Sequence, residues 1–146
     1  MPKLPTSVRV LTILGLVFQG LSLLFTAFIF FMIARLPAFF MMILEEAFVT
    51  ADELNAFYMA LPFLRTVITI VIIFQLAFFL VNALLFIPVI REKTSDQKAS
   101  TIFLYQAIYG GITLFSNQLV GVMYLIAGII GRNKMEQKIE PVRDGI

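Results

Sequence analysis

Three stretches of this chain, residues 10–34, 66–90 and 99–131, contain no Asp, Glu, Lys or Arg. A helix needs about 20 consecutive apolar residues to cross the roughly 30 Å hydrocarbon core of a bilayer. A soluble domain breaks such runs with charge, because its surface must meet water. Composition agrees: 14% of the residues are charged, against about a quarter in an ordinary soluble domain. The sequence therefore predicts an all-α integral membrane protein.

The first stretch, VLTILGLVFQGLSLLFTAFIFFMIA, would be about 37 Å long as a helix, enough to span with some tilt. Lys3 and Arg9 before it imitate the start of a signal peptide. The apolar run, however, exceeds the about 7–15 residues of such a segment, and ARLP is a poor cleavage site. An uncleaved anchor is expected. The second stretch, TVITIVIIFQLAFFLVNALLFIPVI, lies between Arg65 and the polar REKTSDQK. Its Pro88 falls near the end, where a lost backbone hydrogen bond is easily re-satisfied.

The third stretch sets the topology. As one helix, residues 101–131 would measure about 46 Å and need a tilt near 50°, beyond the usual range of roughly 0–40°. Charge gives a second argument. With four spans, Lys3, Arg9, Arg91, Lys93, Lys98, Arg132, Lys134, Lys138 and Arg143 share one side, leaving Arg35 and Arg65 on the other. With three spans that asymmetry, the mark of a cytoplasmic face, disappears. The expectation is a four-helix membrane bundle in one domain, with spans at about 10–34, 66–90, 99–115 and 119–131. A turn falls near Ser116-Asn117-Gln118, a cytoplasmic loop at 91–98 and a solvated cytoplasmic tail at 132–146. Both termini lie in the cytoplasm, and the host bilayer is the cell membrane.

Residues 35–65 form the expected outer loop, where Glu45, Glu46, Asp52 and Glu53 outnumber Arg35 and Arg65. A first short helix begins at Pro37, a favoured first-turn residue, with Phe40, Ile43, Leu44, Ala47 and Phe48 on one side. A second begins at TADE, where Thr50 and Glu53 have the spacing of a capping box. Leu54, Phe57, Tyr58 and Leu61 follow at helical spacing, and Pro62 is placed to start the next helix. Glu45, Glu46, Asp52, Glu53, Phe57 and Tyr58 are the candidate interaction residues of this loop. The competing expectation is an amphipathic connector lying in the interfacial layer.

Within the spans the polar candidates are amides: Gln19, Gln75, Asn82 and Gln106. Gln75 and Asn82 are seven apart, so they share a helix face. They serve either as a polar pathway or, more simply, as hydrogen bonds between helices. Gly15, Gly20, Gly121, Ala127, Gly128 and Gly131 are candidate packing positions, since small residues let helix backbones approach. Gly110-Gly111 interrupts the third span, either as a further packing position or as a kink.

The last helix and its tail, VMYLIAGIIGRNK, follow a glycine-containing segment, FLYQAIYGGITLF. In this the C-terminal third resembles a group of uncharacterised small bacterial four-span membrane proteins, whose final helix has the form LLLIAGILG before a basic tail. The resemblance implies the same general plan, a sizeable first outer loop and a short final hairpin. The group brings no activity or site residues with it.

With no Cys and no His, the chain has no disulfides, thiolate–zinc sites or histidine acid–base chemistry. A net charge of +2 gives no reason to expect nucleic acid. No glycine-rich phosphate loop is present. No metal or cofactor is expected. The outer carboxylates and Tyr105, Tyr109 and Tyr124 are the remaining groups for an enzyme, but neighbours such as Glu45 and Glu46 diverge by about 100° on a helix. The expectation is a non-enzymatic subunit that binds the bilayer and another membrane protein, or itself, through the glycine faces or the outer loop. The alternative is a small holin-like pore or a component of lipid or small-molecule transport.

Overall fold

The structure, a computed structural model, describes residues 3–35, 42–43, 46 and 50–139. Among these residues there is no strand, and four long helices account for most of them. Helix α1 is Thr6–Arg35, α2 is Ala51–Ile90, α3 is Asp96–Thr113 and α4 is Gln118–Ile139. Helices α1 and α2 are long and apolar enough to cross a membrane. The chain divides into two compact units: residues 1–20 with 79–146, and residues 21–78.

In the first unit, the buried core follows the helical repeat. Val120, Tyr124, Ala127, Gly131 and Met135 form one stripe along α4, at steps of three or four residues. They pack with Leu4 and Val8 at the N-terminus, Phe86 and Val89 of α2, and Ala99 and Phe103 of α3. Asn117 starts α4 as its N-cap: its Oδ1 accepts from the Val120 N–H at 3.3 Å. The turn between α3 and α4 occupies Leu114–Asn117, overlapping the Ser-Asn-Gln expected from sequence.

Helix α2 ends in a Schellman motif, with the Lys93 N–H bonded to Pro88 O and the Glu92 N–H to Val89 O. Glu92 occupies the left-handed position of that motif with φ 57°, where glycine is the usual residue. Its carboxylate explains the choice. Oε1 accepts from the Leu4 N–H at 3.1 Å and from Arg9 Nη2 at 2.7 Å, tying the N-terminal segment to the loop.

In the second unit, Arg65 Nη2 donates to Ile33 O at 3.3 Å, placing positive charge near the end of α1 where the helix dipole favours it. At the start of α2, the Glu53 N–H is bonded to Thr50 Oγ1 at 3.3 Å, the N-cap that TADE predicts. Ile33 is the only buried residue among those described in this unit.

Three expectations are corrected. Pro62 does not begin a new helix. Residues 51–90 form one helix, because a proline removes a single donor while LPFLRTV offers no glycine to end the run. Residues 132–139 are not an irregular end but the last turns of α4, with Met135 continuing the buried stripe while Asn133, Lys134, Gln137 and Lys138 are exposed. The loop after α2 is also shorter than 91–98, since Ser95 occupies the N-cap position of a helix starting at Asp96. The helix expected from Pro37, with Phe40, Leu44, Glu45, Ala47 and Phe48, lies outside the described residues.

Candidate functional site: a buried amide and tyrosine network

Helices α1 and α2 each bring one amide into the first unit, Gln19 and Asn82. Asn82 is fully buried and Gln19 is 9% exposed. Asn82 Nδ2 donates to Gln19 Oε1 at 3.0 Å. The same Gln19 oxygen accepts from the Tyr124 hydroxyl at 2.8 Å, while Gln19 Nε2 donates to the Tyr109 oxygen at 3.0 Å. Tyr105 closes the set by donating to Asn82 Oδ1 at 3.0 Å. One glutamine thus joins all four helices. Phe86 meets Tyr124 edge-on at 5.2 Å between ring centroids, and Tyr105 stacks with Tyr109 at 5.9 Å.

A smaller relay lies alongside. Gln106 Nε2 donates to Thr12 Oγ1 at 2.9 Å, and the Thr12 hydroxyl donates to Val8 O at 2.8 Å, so α3 is bonded to α1. Gln106 Oε1 is buried and accepts nothing among the described residues. Hydroxyls and amides are the groups assembled here. They hold helices in register, each interhelical bond being worth about 0.6 kcal/mol in a bilayer.

Glycine sets how closely α3 and α4 approach. A Cβ on Gly110 would strike the Leu125 backbone, one on Gly121 the Leu114 backbone, and one on Gly128 the Ala107 N and Phe103 O. Gly131 leaves space for the Phe103 ring and Gly15 for the Tyr124 ring. Ala127 is fully buried in the same seam. Gly20 is less demanding, with Phe79 in ordinary contact range, and Gly111 faces open space. Helix α3 runs unbroken through Gly110-Gly111, so the pair makes no break in it; Gly110 is a packing position.

Of the amide candidates, the structure brings Gln19, Asn82 and Gln106 into interhelical bonds, while Gln75 stands apart. Its Oε1 is occluded and accepts no bond among the described residues. Of the outer-loop candidates, Glu46, Asp52, Glu53 and Tyr58 are exposed, Phe57 is half-buried, and Glu45 lies outside the described residues. Thr12 and Glu92 were not singled out by sequence, and Gly110 was noted only as part of a glycine pair, without its contact on α4. The tyrosines were, though not as partners of the amides. The signal for the network was present in spacing: Tyr105 and Tyr109 are four apart, and Thr12 and Gln19 are seven apart, each pair sharing a helix face.

Charge collects at one end of the first unit. Arg9 pairs with Glu92 at 2.7 Å and Lys138 with Asp96 at 3.8 Å, which ties the start of α1, the 91–95 loop, the start of α3 and the end of α4 together. Lys3, Arg9, Arg91, Lys93, Lys98, Arg132, Lys134 and Lys138 lie in these segments, against Glu92, Asp96 and Glu136.

The class these features define is an all-helical protein with two helices able to span a membrane by length and apolarity. No family model, no curated protein and no solved structure matches the chain.

Proposed function

We propose that this is a four-span protein of the cell membrane, with both termini cytoplasmic, acting as a non-enzymatic accessory or assembly subunit for another membrane protein. The observation that carries this reading is the bareness of residues 21–78. Leu24, Phe25, Met59, Phe63 and Phe74 are each at least 60% exposed there. Gln75 lies in the same apolar run with its amide oxygen unbonded among the described residues. Hydrocarbon offers no water to satisfy such a group, and leaving it unpaired costs free energy. The exposed aromatics supply a packing surface for a neighbouring helix, and a turn of the Gln75 side chain would bring its amide to a hydroxyl or N–H on that helix.

Unit 1 supports the reading by contrast. Its amides bond to one another, and Gly110, Gly121 and Gly128 are spent on contacts within the chain. The surface left for a partner is therefore residues 21–78 rather than the glycine faces. The alternative, a holin-like pore or a transport component, would call on Gln75 and Asn82 as a polar stripe. Asn82 is already committed at both ends of its amide to Gln19 and Tyr105, which weakens that alternative.

The test is crosslinking in native membranes from a photoreactive residue at Phe74, followed by capture in mild detergent. A discrete membrane partner at fixed stoichiometry is expected, with recovery reduced by Gln75→Leu. Capture of the chain by itself would move the pore reading forward. Crosslinks to lipid alone would remove the accessory reading.

A further inference from the structure

Two apolar grooves among the described residues of unit 1 each end at an arginine. One, of about 430 Å³, runs along α3 and α4 past Ile108 and Ile129 to Arg132 and Glu136. The other, of about 290 Å³, runs along α1 and α2 past Ile13, Val17, Ile87 and Ile90 to Arg91. The two arginines differ electrostatically. Arg132 bonds to Glu136 at 2.6 Å, so its charge is met within one turn of its own helix. Arg91 is exposed and has no ion-pair partner among the described residues. The adjacent Glu92 does not offset it, being occupied by the Leu4 N–H and Arg9.

We infer that the groove ending at Arg91 is a binding site for an anionic phospholipid, with an acyl chain along the isoleucines and the phosphate on the guanidinium. Charge complementarity carries the choice of occupant. The groove opens at the end of the unit where eight basic side chains face three acidic ones among the described residues. A guanidinium presents a planar fork of donors that fits phosphate oxygens. Basic pockets between helices on the cytoplasmic side of a membrane are suited to anionic headgroups. Ile13, Val17 and Ile87 are each more than 40% exposed, which leaves the groove floor open to a hydrocarbon chain. The α3–α4 groove serves as an internal contrast, because Glu136 repels the phosphate that Arg132 attracts. The inference rests on the helices being embedded in a bilayer and not on the accessory role.

The experiment uses the full chain reconstituted in bilayers of equal parts phosphatidylglycerol and phosphatidylcholine, then released into mild detergent and weighed by native mass spectrometry. Phosphatidylglycerol is expected to be retained in preference. Arg91→Gln should reduce that preference about fivefold, the effect of one basic residue near a membrane surface. Arg132→Gln should leave it unchanged, and Val17→Trp, which fills the groove from an exposed position, should reduce it. Equal retention of the two lipids by the wild-type protein, or an undiminished preference in Arg91→Gln or Val17→Trp, overturns the inference. Flotation with vesicles and resistance to alkaline extraction are measured on the same preparations. A protein that fails to insert loses both this inference and the membrane reading; an inserted protein without preference loses this inference alone.

Discussion

At Gln19, one side chain accepts from Asn82 and Tyr124 and donates to Tyr109. Gln19→Leu strands those partners in an apolar core, and should cost about 1–3 kcal/mol of folding stability, read from unfolding in mixed micelles. Adding Asn82→Leu should then cost less than Asn82→Leu costs in the parent protein, because the shared bond is already gone. A fully additive pair would mean that the two amides act independently. Glu92 permits a sharper test. Its backbone is left-handed, at an expense of about 1 kcal/mol for a residue with a Cβ, and its carboxylate bonds to Leu4 and Arg9. Glu92→Ala should therefore be less stable than Glu92→Gly by about 1 kcal/mol, although both lose the carboxylate. Equal stability would show that the backbone is not strained there. Gln19 was named from sequence as an amide for bonds between helices, though its partners were not; the role of Glu92 was not legible. A capping position is recognised by glycine, and REKTSDQK contains none.

Between elements, the α3–α4 seam depends on backbones that nearly touch. Gly128→Val should disrupt the hairpin, because the new side chain meets Ala107 and Phe103 backbone atoms that cannot rotate away. Gly111→Ala, facing open space on the same helix, should be neutral or stabilising by up to about 1 kcal/mol. Thermal unfolding of the two variants separates the cases, and similar losses from both would contradict the seam. This seam was partly legible: Gly121, Gly128 and Gly131 recur on one face of α4, whereas the different roles of the adjacent Gly110 and Gly111 depend on which of them meets α4. Helix existence was also legible, because uncharged runs have few alternatives. Helix ends were not. Sequence placed a boundary at Pro62 and another at Arg132, and in both places continuing burial or the absence of a breaker outweighed the local signal.

For the whole molecule, the proposed four-span arrangement would place the Leu114–Asn117 turn opposite the charged end. Ser116→Cys is the suitable probe, since Ser116 is exposed whereas Asn117 caps α4, and the chain has no other thiol. An impermeant maleimide should label it in intact cells, while Ser95→Cys should react only after permeabilisation. The reverse pattern would invert the topology, and protection of both would argue against it. Charge gives an expected orientation, which this labelling tests; the closing of the bundle was not legible, since nothing in a hydropathy profile says which amide meets which hydroxyl. That closing has a consequence for biogenesis. Gln19 and Tyr124 are 105 positions apart. At about 5–20 residues per second, a ribosome needs roughly 5–20 seconds to deliver the second after the first. In a chain inserted as proposed, α1 would carry an unpaired amide for that interval, a reason for it to remain beside the insertion machinery until the C-terminal hairpin arrives.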